Sequence, residues 1–476
     1  MKKELTPLFA LIPILSLILS AACAVFIWDS GMHIPLIIGA IAAAGVAIMK
    51  GWTWREVENM MVQGVSRALP AAFILMIIGT IIGTWIASGV IPTIIYYGLA
   101  IIHPSIFVPV VALITGIVSV TLGSSFTSMA TIGIAFMAIG SGLGFPPGLI
   151  AGAVISGAYF GDKLSPVSDT TNVAPVMAET DLFSHIKHML WDTIPAFILS
   201  ILLYWVIGQA SSAGTGADLD AIKTIQSGLS DLFIIHPLLL GMPVLTIFLM
   251  IKRAPAIPTL ITVSILGALI AFFVQGMTIT EIVNVTTDGF NSPSDVEDVD
   301  ELLNRGGLLS MLGTVALLMI ATALGGVLEE TGAFKVLTQK MMDKVKSAGS
   351  LISTTIFSTF VVAFASGAQF LAIILPARTF VGKYKSMNID TKNLSRCVEA
   401  AGTVGINLVP WSVPAVFAAS IFGLNPGQFI PYAFFVILVP LVNIVFGFTG
   451  WTITKQSYSD VQHKTENKSI QGDHAV

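Results

Sequence analysis

Gly161-Asp162-Lys163-Leu164-Ser165-Pro166-Val167-Ser168-Asp169-Thr170-Thr171-Asn172 interrupts a long apolar tract, with Gly148–Phe160 before it and Val173–Ala178 after it. Three charges, five hydroxyl or amide side chains and a proline share this one segment. A charge at the centre of a bilayer costs about 2.5–3.5 kcal/mol, so such residues face a protein interior or a wet cavity and mark an ion or substrate path. Irregular backbone at that depth survives only where protein or a cavity surrounds it. The segment reads as the working centre of a transporter.

The rest of the chain agrees. It has 476 residues, 55% hydrophobic and 11% charged. A soluble domain carries about 25% charged residues, so this is an integral membrane protein. Apolar runs near 20 residues predict helical spans, whereas a β-barrel would show alternating strands of about ten. The net charge of −4 and the lack of a basic block give no sign of nucleic acid. Cys23 and Cys397 make no disulfide framework and have no metal-ligand spacing. Ser20-Ala21-Ala22-Cys23 resembles a cleavage or lipoprotein site, but Leu5–Trp28 is too long for a signal core and reads as a retained first span.

Two halves repeat. Gly51-Trp52-Thr53-Trp54-Arg55-Glu56-Val57-Glu58-Asn59 matches Gly276-Met277-Thr278-Ile279-Thr280-Glu281-Ile282-Val283-Asn284 at an offset of 225, and Gly64/Gly289 continues it. Ser88-Gly89 and Thr331-Gly332 lie 243 apart. Gly123/Gly367, Phe126/Phe370, Gly161/Gly405, Leu164/Leu408, Pro166/Pro410 and Ser168/Ser412 lie 244 apart. An acidic insertion near 291–304 accounts for the growing offset.

Lys and Arg favour cytoplasmic loops. Here they gather at Lys2/Lys3, Lys50/Arg55/Arg67, Lys187, Lys252/Arg253, Lys335–Lys346, Lys383–Lys392 and Lys455. Threading on that basis gives single spans at Leu5–Trp28, Ile34–Met49, Pro70–Val90 and Thr193–Gln209, a re-entrant hairpin over Ile106–Ala138 with its tip at Gly123–Ser128, and a broken span over Gly148–Ala178. The second half repeats this upside down over Leu232–Ile251, Ala256–Gln275, Leu308–Leu328, Ser350–Phe380, Leu394–Gly423 and Ile430–Gly450. The expected fold is therefore an all-α polytopic membrane protein of two inverted-topology repeats, each with a re-entrant hairpin and a broken helix. The first repeat covers 1–210, an outside linker 211–231, the second repeat 232–455, and a cytoplasmic tail 456–476. Both termini are expected in the cytoplasm, with the chain multi-pass in the cell (inner) membrane.

The repeat marks the site twice. Gly161–Asn172 corresponds to Gly405-Ile406-Asn407-Leu408-Val409-Pro410-Trp411-Ser412-Val413-Pro414, where Gly and Pro again break the helix. Asp162 aligns with Ile406, Lys163 with Asn407 and Asp169 with Val413, so the acidic chemistry belongs to the first half. Asp162 and Asp169 are the expected sodium ligands and proton carriers. Ser165, Ser168, Thr170, Thr171, Asn172, Asn407 and Ser412 offer further oxygens, or cap the broken helices. Ser124 and Ser125 at the first hairpin tip and Gln369 at the second complete the candidate set. Lys163 either contacts an anion or neutralises an aspartate. Glu329 beside Glu330 reads as a gate or an interfacial acid, and Glu399 as a site acid or the partner of Arg396 one turn earlier. His185, Lys187, His188 and Asp192 read as an interfacial helix with a pH-sensing role open to it. Asp295–Glu301 reads as a solvated outside loop.

Across Gly161–Thr171 the chain resembles the NhaC family of bacterial sodium/proton antiporters, and Asn172, Ala174-Pro175 and the Thr180-Asp181 to His185-Ile186 stretch are similar too. The resemblance covers nearly the whole chain. It implies membership of an ion-transporter superfamily with inverted repeats and hairpins, and sodium/proton antiport by alternating access. The family also includes malate/lactate antiporters, so a sodium- or proton-coupled organic-anion or amino-acid carrier is the alternative. No cofactor is expected, and sodium ions and protons are the cargo. Membrane lipid surrounds the chain, small organic anions stay open as partners, and a homodimer is compatible. His-Glu-x-x-His, Cys–His clusters and phosphate loops are missing from the sequence, which argues against an enzyme.

Overall fold

The computed structural model describes residues 5–28, 31–101, 104–166, 168–215, 219–252, 254–292, 299–300, 303–343 and 345–456. Lys2, Lys3, Arg253, Lys344, most of the Asp295–Glu301 loop and the tail beyond Gln456 lie outside the described residues. A chain this apolar must close its backbone hydrogen bonds within each segment. Among the described residues it does so as helices, with one isolated bridge between Ile389 and Lys455.

In chain order the helices are α1 Pro7–Phe26, α2 His33–Met49, α3 Trp54–Ala87, α4 Val90–Ile101, α5 Pro104–Leu122, α6 Ser125–Gly142, α7 Pro147–Leu164, α8 Asp169–Met177 and α9 Leu182–Thr215. Then come α10 Leu219–Leu232, α11 Gly241–Ile251, α12 Ala256–Phe273, α13 Ile279–Asp288, α14 Leu312–Glu330, α15 Ala333–Met342 and α16 Ala348–Ser366. α17 Gln369–Ser386, α18 Thr391–Leu408, α19 Val413–Phe422 and α20 Phe434–Thr449 follow, and short helical turns such as Pro237–Leu240 and Pro426–Phe429 lie between the longer helices. Seven helices among the described residues are long and apolar enough to cross a membrane, or up to ten if each bent pair is one span. The protein is a multi-pass membrane protein.

Helix boundaries repeat as the motifs do. α5 and α16 begin and end 244 residues apart, as do α6 and α17, and α7 and α18. Left-handed backbone recurs on the same offset at Gly123/Gly367, Gly144/Asn388 and Glu179/Gly423. The Thr53 and Thr278 caps repeat atom by atom. In each, the Thr N–H donates to the Glu Oε2 at 2.8 Å, and the Glu56 or Glu281 N–H returns to the Thr Oγ1 at 3.3 Å.

The halves part at Gly289. α3 runs unbroken for 34 residues, starting well before the Pro70 at which the sequence placed its span. Proline is tolerated inside membrane helices, where neighbours satisfy the freed groups. α13 instead stops at Gly289, whose φ of 101° ends the helix. The insertion then leaves and returns, closed by the Phe290 N–H donating to the Arg305 carbonyl at 3.0 Å. The Gly307 N–H donates to the Gly79 carbonyl of α3 at 2.7 Å. The insertion thus lengthens the second half without disturbing the helices after it.

The hairpins break where the sequence placed their tips. Gly123 (φ 66°) separates α5 from α6, and Gly367 (φ 62°) separates α16 from α17. Their legs exceed the expectation, since α5 has 19 residues and α6 has 18, each long and apolar enough to cross a bilayer. A main core joins α3 to α7 with α9 and α18 to α20, and a second joins α1, α2, α14 and α15 to the hairpin of α16 and α17.

Candidate functional site

Asp162 sits in the last turn of α7, 5% exposed. Glycine brings it there. A Cβ on Gly161 would stand 2.4 Å from the Val120 backbone nitrogen, and one on Gly157 would stand 2.3 Å from the Ala112 carbonyl. Only small residues let α5 and α7 pack so closely. The Ser119 hydroxyl crosses the contact and donates to the Ala158 carbonyl at 2.5 Å.

That packing presents the first hairpin tip to the acid. The Ser125 hydroxyl donates to the Asp162 Oδ2 at 2.7 Å. Ser124 caps α6 instead, accepting from the Thr127 N–H at 3.2 Å. Ser168 lies beside the same carboxylate across the break. Asp169 stands at the exposed start of α8, where its charge repels that of Asp162.

The other polar residues of the break mostly hold its shape. Thr171 donates to the Asp162 carbonyl at 3.1 Å and reaches the Lys163 carbonyl at 3.3 Å. The Asn172 amide donates to the carbonyls of Pro166 at 2.9 Å and Ser168 at 2.7 Å. Ser168 and Thr170 share a 3.1 Å hydroxyl contact. These bonds take up carbonyls left free by the broken ladder.

The second break meets its own tip. α18 and α19 bend by 44°, and the Val413 N–H donates to the Gly367 carbonyl at 2.8 Å. The Gln369 amide donates to the Thr403 carbonyl at 3.1 Å. Ser412 donates to the Ile406 carbonyl at 2.9 Å and caps α19. Asn407 donates to the Val404 carbonyl at 2.9 Å, leaving its own Oδ1 unpartnered.

A set of buried oxygens with no hydrogen bond surrounds this junction: the Tyr159 hydroxyl, Ser165 Oγ, both Glu399 carboxylate oxygens, Thr403 Oγ1 and Asn407 Oδ1. Tyr159 faces Ser125, Asp162 and Asn407. Glu399 faces Lys163, Thr403, Asp162 and Thr170. It precedes a π-helical turn, Ala400–Val404, a distortion frequent at functional sites. Buried polar atoms are normally paired, so a concentration of unpaired oxygens marks a place shaped for something else. Carboxylate, hydroxyl and amide oxygens suit a small hard cation. No group of three or more His, Cys, Asp or Glu side chains poised for a metal occurs among the described residues.

Two expectations are corrected. Glu399 does not pair with Arg396. Arg396 is fully buried and donates to the Thr452 hydroxyl at 3.1 Å, because the segment after α20 folds over it. His185, His188 and Asp192 do not lie on an exposed helix face. All three are buried, with His185 against Ser395 at 2.8 Å and His188 against Asn393 at 3.2 Å. Lys163 does neutralise an aspartate, but one outside its own segment: fully buried, it pairs with Asp192 at 3.1 Å. Asp192 also accepts from Asn443 at 2.5 Å and Thr193 at 3.2 Å. Glu329 stands apart from this site, paired with Arg67 of α3, which also reaches Glu330 at 3.8 Å.

Sequence reasoning missed Tyr159, Asp192 and Asn443 as parts of this network. Asn443 carried the available signal, a lone amide inside the apolar run Phe434–Thr449.

Residues 157–451 match the family described as the Na+/H+ antiporter family. The chain is 38% identical over 457 residues to the Na+/H+ antiporter NhaC of Alkalihalophilus pseudofirmus, covering 96% of this chain and 98% of that protein. It is 36% identical to the malate-2H+/Na+-lactate antiporter of Bacillus subtilis, covering 94% and 96%. It is also 36% identical to the arginine/ornithine antiporter ArcD of Halobacterium salinarum, covering 93% and 92%. With the matched model spanning more than half the chain and relatives aligned almost end to end, the chain belongs to the Na+/H+ antiporter family.

Proposed function

We propose that the protein exchanges sodium ions for protons across the cell membrane by alternating access. The observation that carries this reading is the Asp162 carboxylate, buried at a helix break, bonded to a hairpin-tip hydroxyl and set among oxygens that lack partners. A dry site cannot hold a bare carboxylate without compensation. A sodium ion or a proton supplies it, and each excludes the other. That exclusion turns one site into an exchanger once it opens to the two sides in turn.

In this proposal Asp162, Ser125 and Ser168 form the centre of the sodium site, and Tyr159 and Asn407 turn their free oxygens towards the ion. Asp169 sits at the exposed entrance as a second acid. Ser124, Thr171, Asn172 and Ser412 hold the loops. The two halves lie inverted in the membrane with both termini in the cytoplasm, as the Lys and Arg distribution supports. Sodium and protons are cargo, and no resident cofactor takes part.

The malate/lactate and arginine/ornithine relatives motivate a second reading, a carrier of organic acids or amino acids. Lys163 bears against it. Its ammonium is the obvious partner for a substrate carboxylate, and it is already committed to Asp192. The test uses purified protein in proteoliposomes with an internal pH probe. Sodium alone should move protons with no organic solute present, and raising the pH should lower the half-saturating sodium concentration. A requirement for malate, lactate or arginine would replace this reading with the second.

A further inference from the structure

We propose that an anionic phospholipid occupies the groove between α1, α15 and α16, with an acyl chain along the groove and its headgroup on Lys340. The groove encloses about 830 Å³. Its walls include Pro7 to Ile18 of α1, Leu337 of α15, and Phe357 to Phe364 of α16. Lys340 is the one charged side chain lining it.

Three observations select the occupant. The first is depth. The α1 wall spans twelve residues from Pro7 to Ile18, eleven steps and so roughly 16 Å at 1.5 Å per residue. Half a hydrocarbon core is roughly 15 Å, so the groove is as deep as one leaflet. The second is the chemistry of the lining. Lys340 is its one charged side chain, and the rest of the lining is almost wholly apolar. That is the make-up of a lipid, one charged group with hydrocarbon for the remainder. The third is the charge itself. Lys340 pairs with no acidic side chain among the described residues. An unopposed ammonium at a membrane surface attracts an anionic headgroup over a zwitterionic one.

The walls are open to the bilayer. Leu15 is 50% and Phe357 62% exposed, as expected of surfaces that contact hydrocarbon. α16 ends at the second hairpin tip, where Gln369 reaches the Thr403 carbonyl. A lipid lodged beside α16 therefore supports a helix that leads to the site.

Native mass spectrometry of the full chain tests this, with phosphatidylglycerol and phosphatidylcholine added in equal amounts. The wild type should retain phosphatidylglycerol at least fivefold over phosphatidylcholine. Lys340→Gln should bring that ratio close to one while the protein stays folded. Val361→Trp, or Leu15→Trp if the first does not fold, should fill the groove and lower retention of both lipids. Equal retention of the two lipids by the wild type overturns the proposal. So does preferential phosphatidylglycerol binding that survives both Lys340→Gln and a groove-filling variant, since the lipid would then be held elsewhere.

Discussion

The Lys163 ammonium lies 3.1 Å from the Asp192 Oδ2, and neither side chain is exposed to solvent. The pair joins the broken span to α9, and the Asn443 amide adds α20 to the same carboxylate. A buried pair gives little net stability against an apolar replacement, but removing one partner strands the other charge at a cost of about 3–5 kcal/mol. Lys163→Gln and Asp192→Asn should each lower the thermal unfolding temperature of the purified protein clearly, and the double variant should recover most of the loss. Additive losses in the double variant would show that the two residues act independently.

Asp162 and Ser125 should separate in function. Asp162→Asn keeps the shape and removes the charge, so sodium-driven proton movement should disappear from proteoliposomes while folding and insertion persist. Ser125→Ala removes one hydrogen bond to a charged group, worth about 1.5–3 kcal/mol. The half-saturating sodium concentration should rise roughly 10- to 100-fold, since about 1.4 kcal/mol is a factor of ten. Wild-type exchange by Asp162→Asn would place the ion elsewhere.

The sequence was a good guide wherever local chemistry decides the structure. Broken helices follow from Gly161, Pro166 and Pro410, because these residues act on their own backbone. The Gly123 and Gly367 turns were legible for the same reason. Pairing across the fold was not. Asp192 is 29 positions from Lys163 and Asn443 is 251 from Asp192, so nothing local joins them. The buried state of His185 and His188 was hidden likewise, since α18 and the segment after α20 provide the cover. Charge spacing within one helix misled at Arg396 and Glu399, where tertiary contacts outweigh a weak local preference.

Gly161 tests the close approach that carries Asp162 to Ser125. Gly161→Ala puts a Cβ against backbone of α5, which cannot swing away as a side chain can. Expression should fall, or the unfolding temperature should drop by several degrees with weakened sodium affinity. Gly45→Ala is the control, because a Cβ there meets nothing within 4 Å. In a helix interior it should be neutral or slightly stabilising.

The cap of α13 gives a pH prediction outside the spans. Hydrogen bonds from the Thr278 backbone and hydroxyl hold the exposed Glu281 carboxyl below its ordinary value. A depressed folded value stabilises the helix start above the unfolded range and loses that effect as pH falls through the folded value. Hydrogen exchange in the first turn of α13 should therefore quicken, relative to intrinsic rates, only at acid pH. Glu281→Gln should remove that dependence, whereas Thr278→Ala keeps its backbone N–H donor and should only weaken it. An acid-induced change of equal size in Glu281→Gln would sink the assignment.

Glu399 sets stability against function. Both its oxygens are buried without a hydrogen bond of ordinary geometry, and the Thr403 and Thr170 hydroxyls lie close beside it. An unsatisfied buried polar group costs about 1–3 kcal/mol, and more when charged. Evolution keeps such costs mainly where function uses them. Glu399→Gln preserves the shape, removes the charge and gives the same hydroxyls an amide they can pair with. The unfolding temperature should hold or rise, the opposite of Asp192→Asn on the paired side of Lys163. Exchange should nevertheless fall at least tenfold, because the site loses a carboxylate that faces Asp162 and Lys163 together. A variant that is more stable and fully active would remove Glu399 from the transport site. One that is less stable would show that the carboxylate has a structural partner in the folded protein.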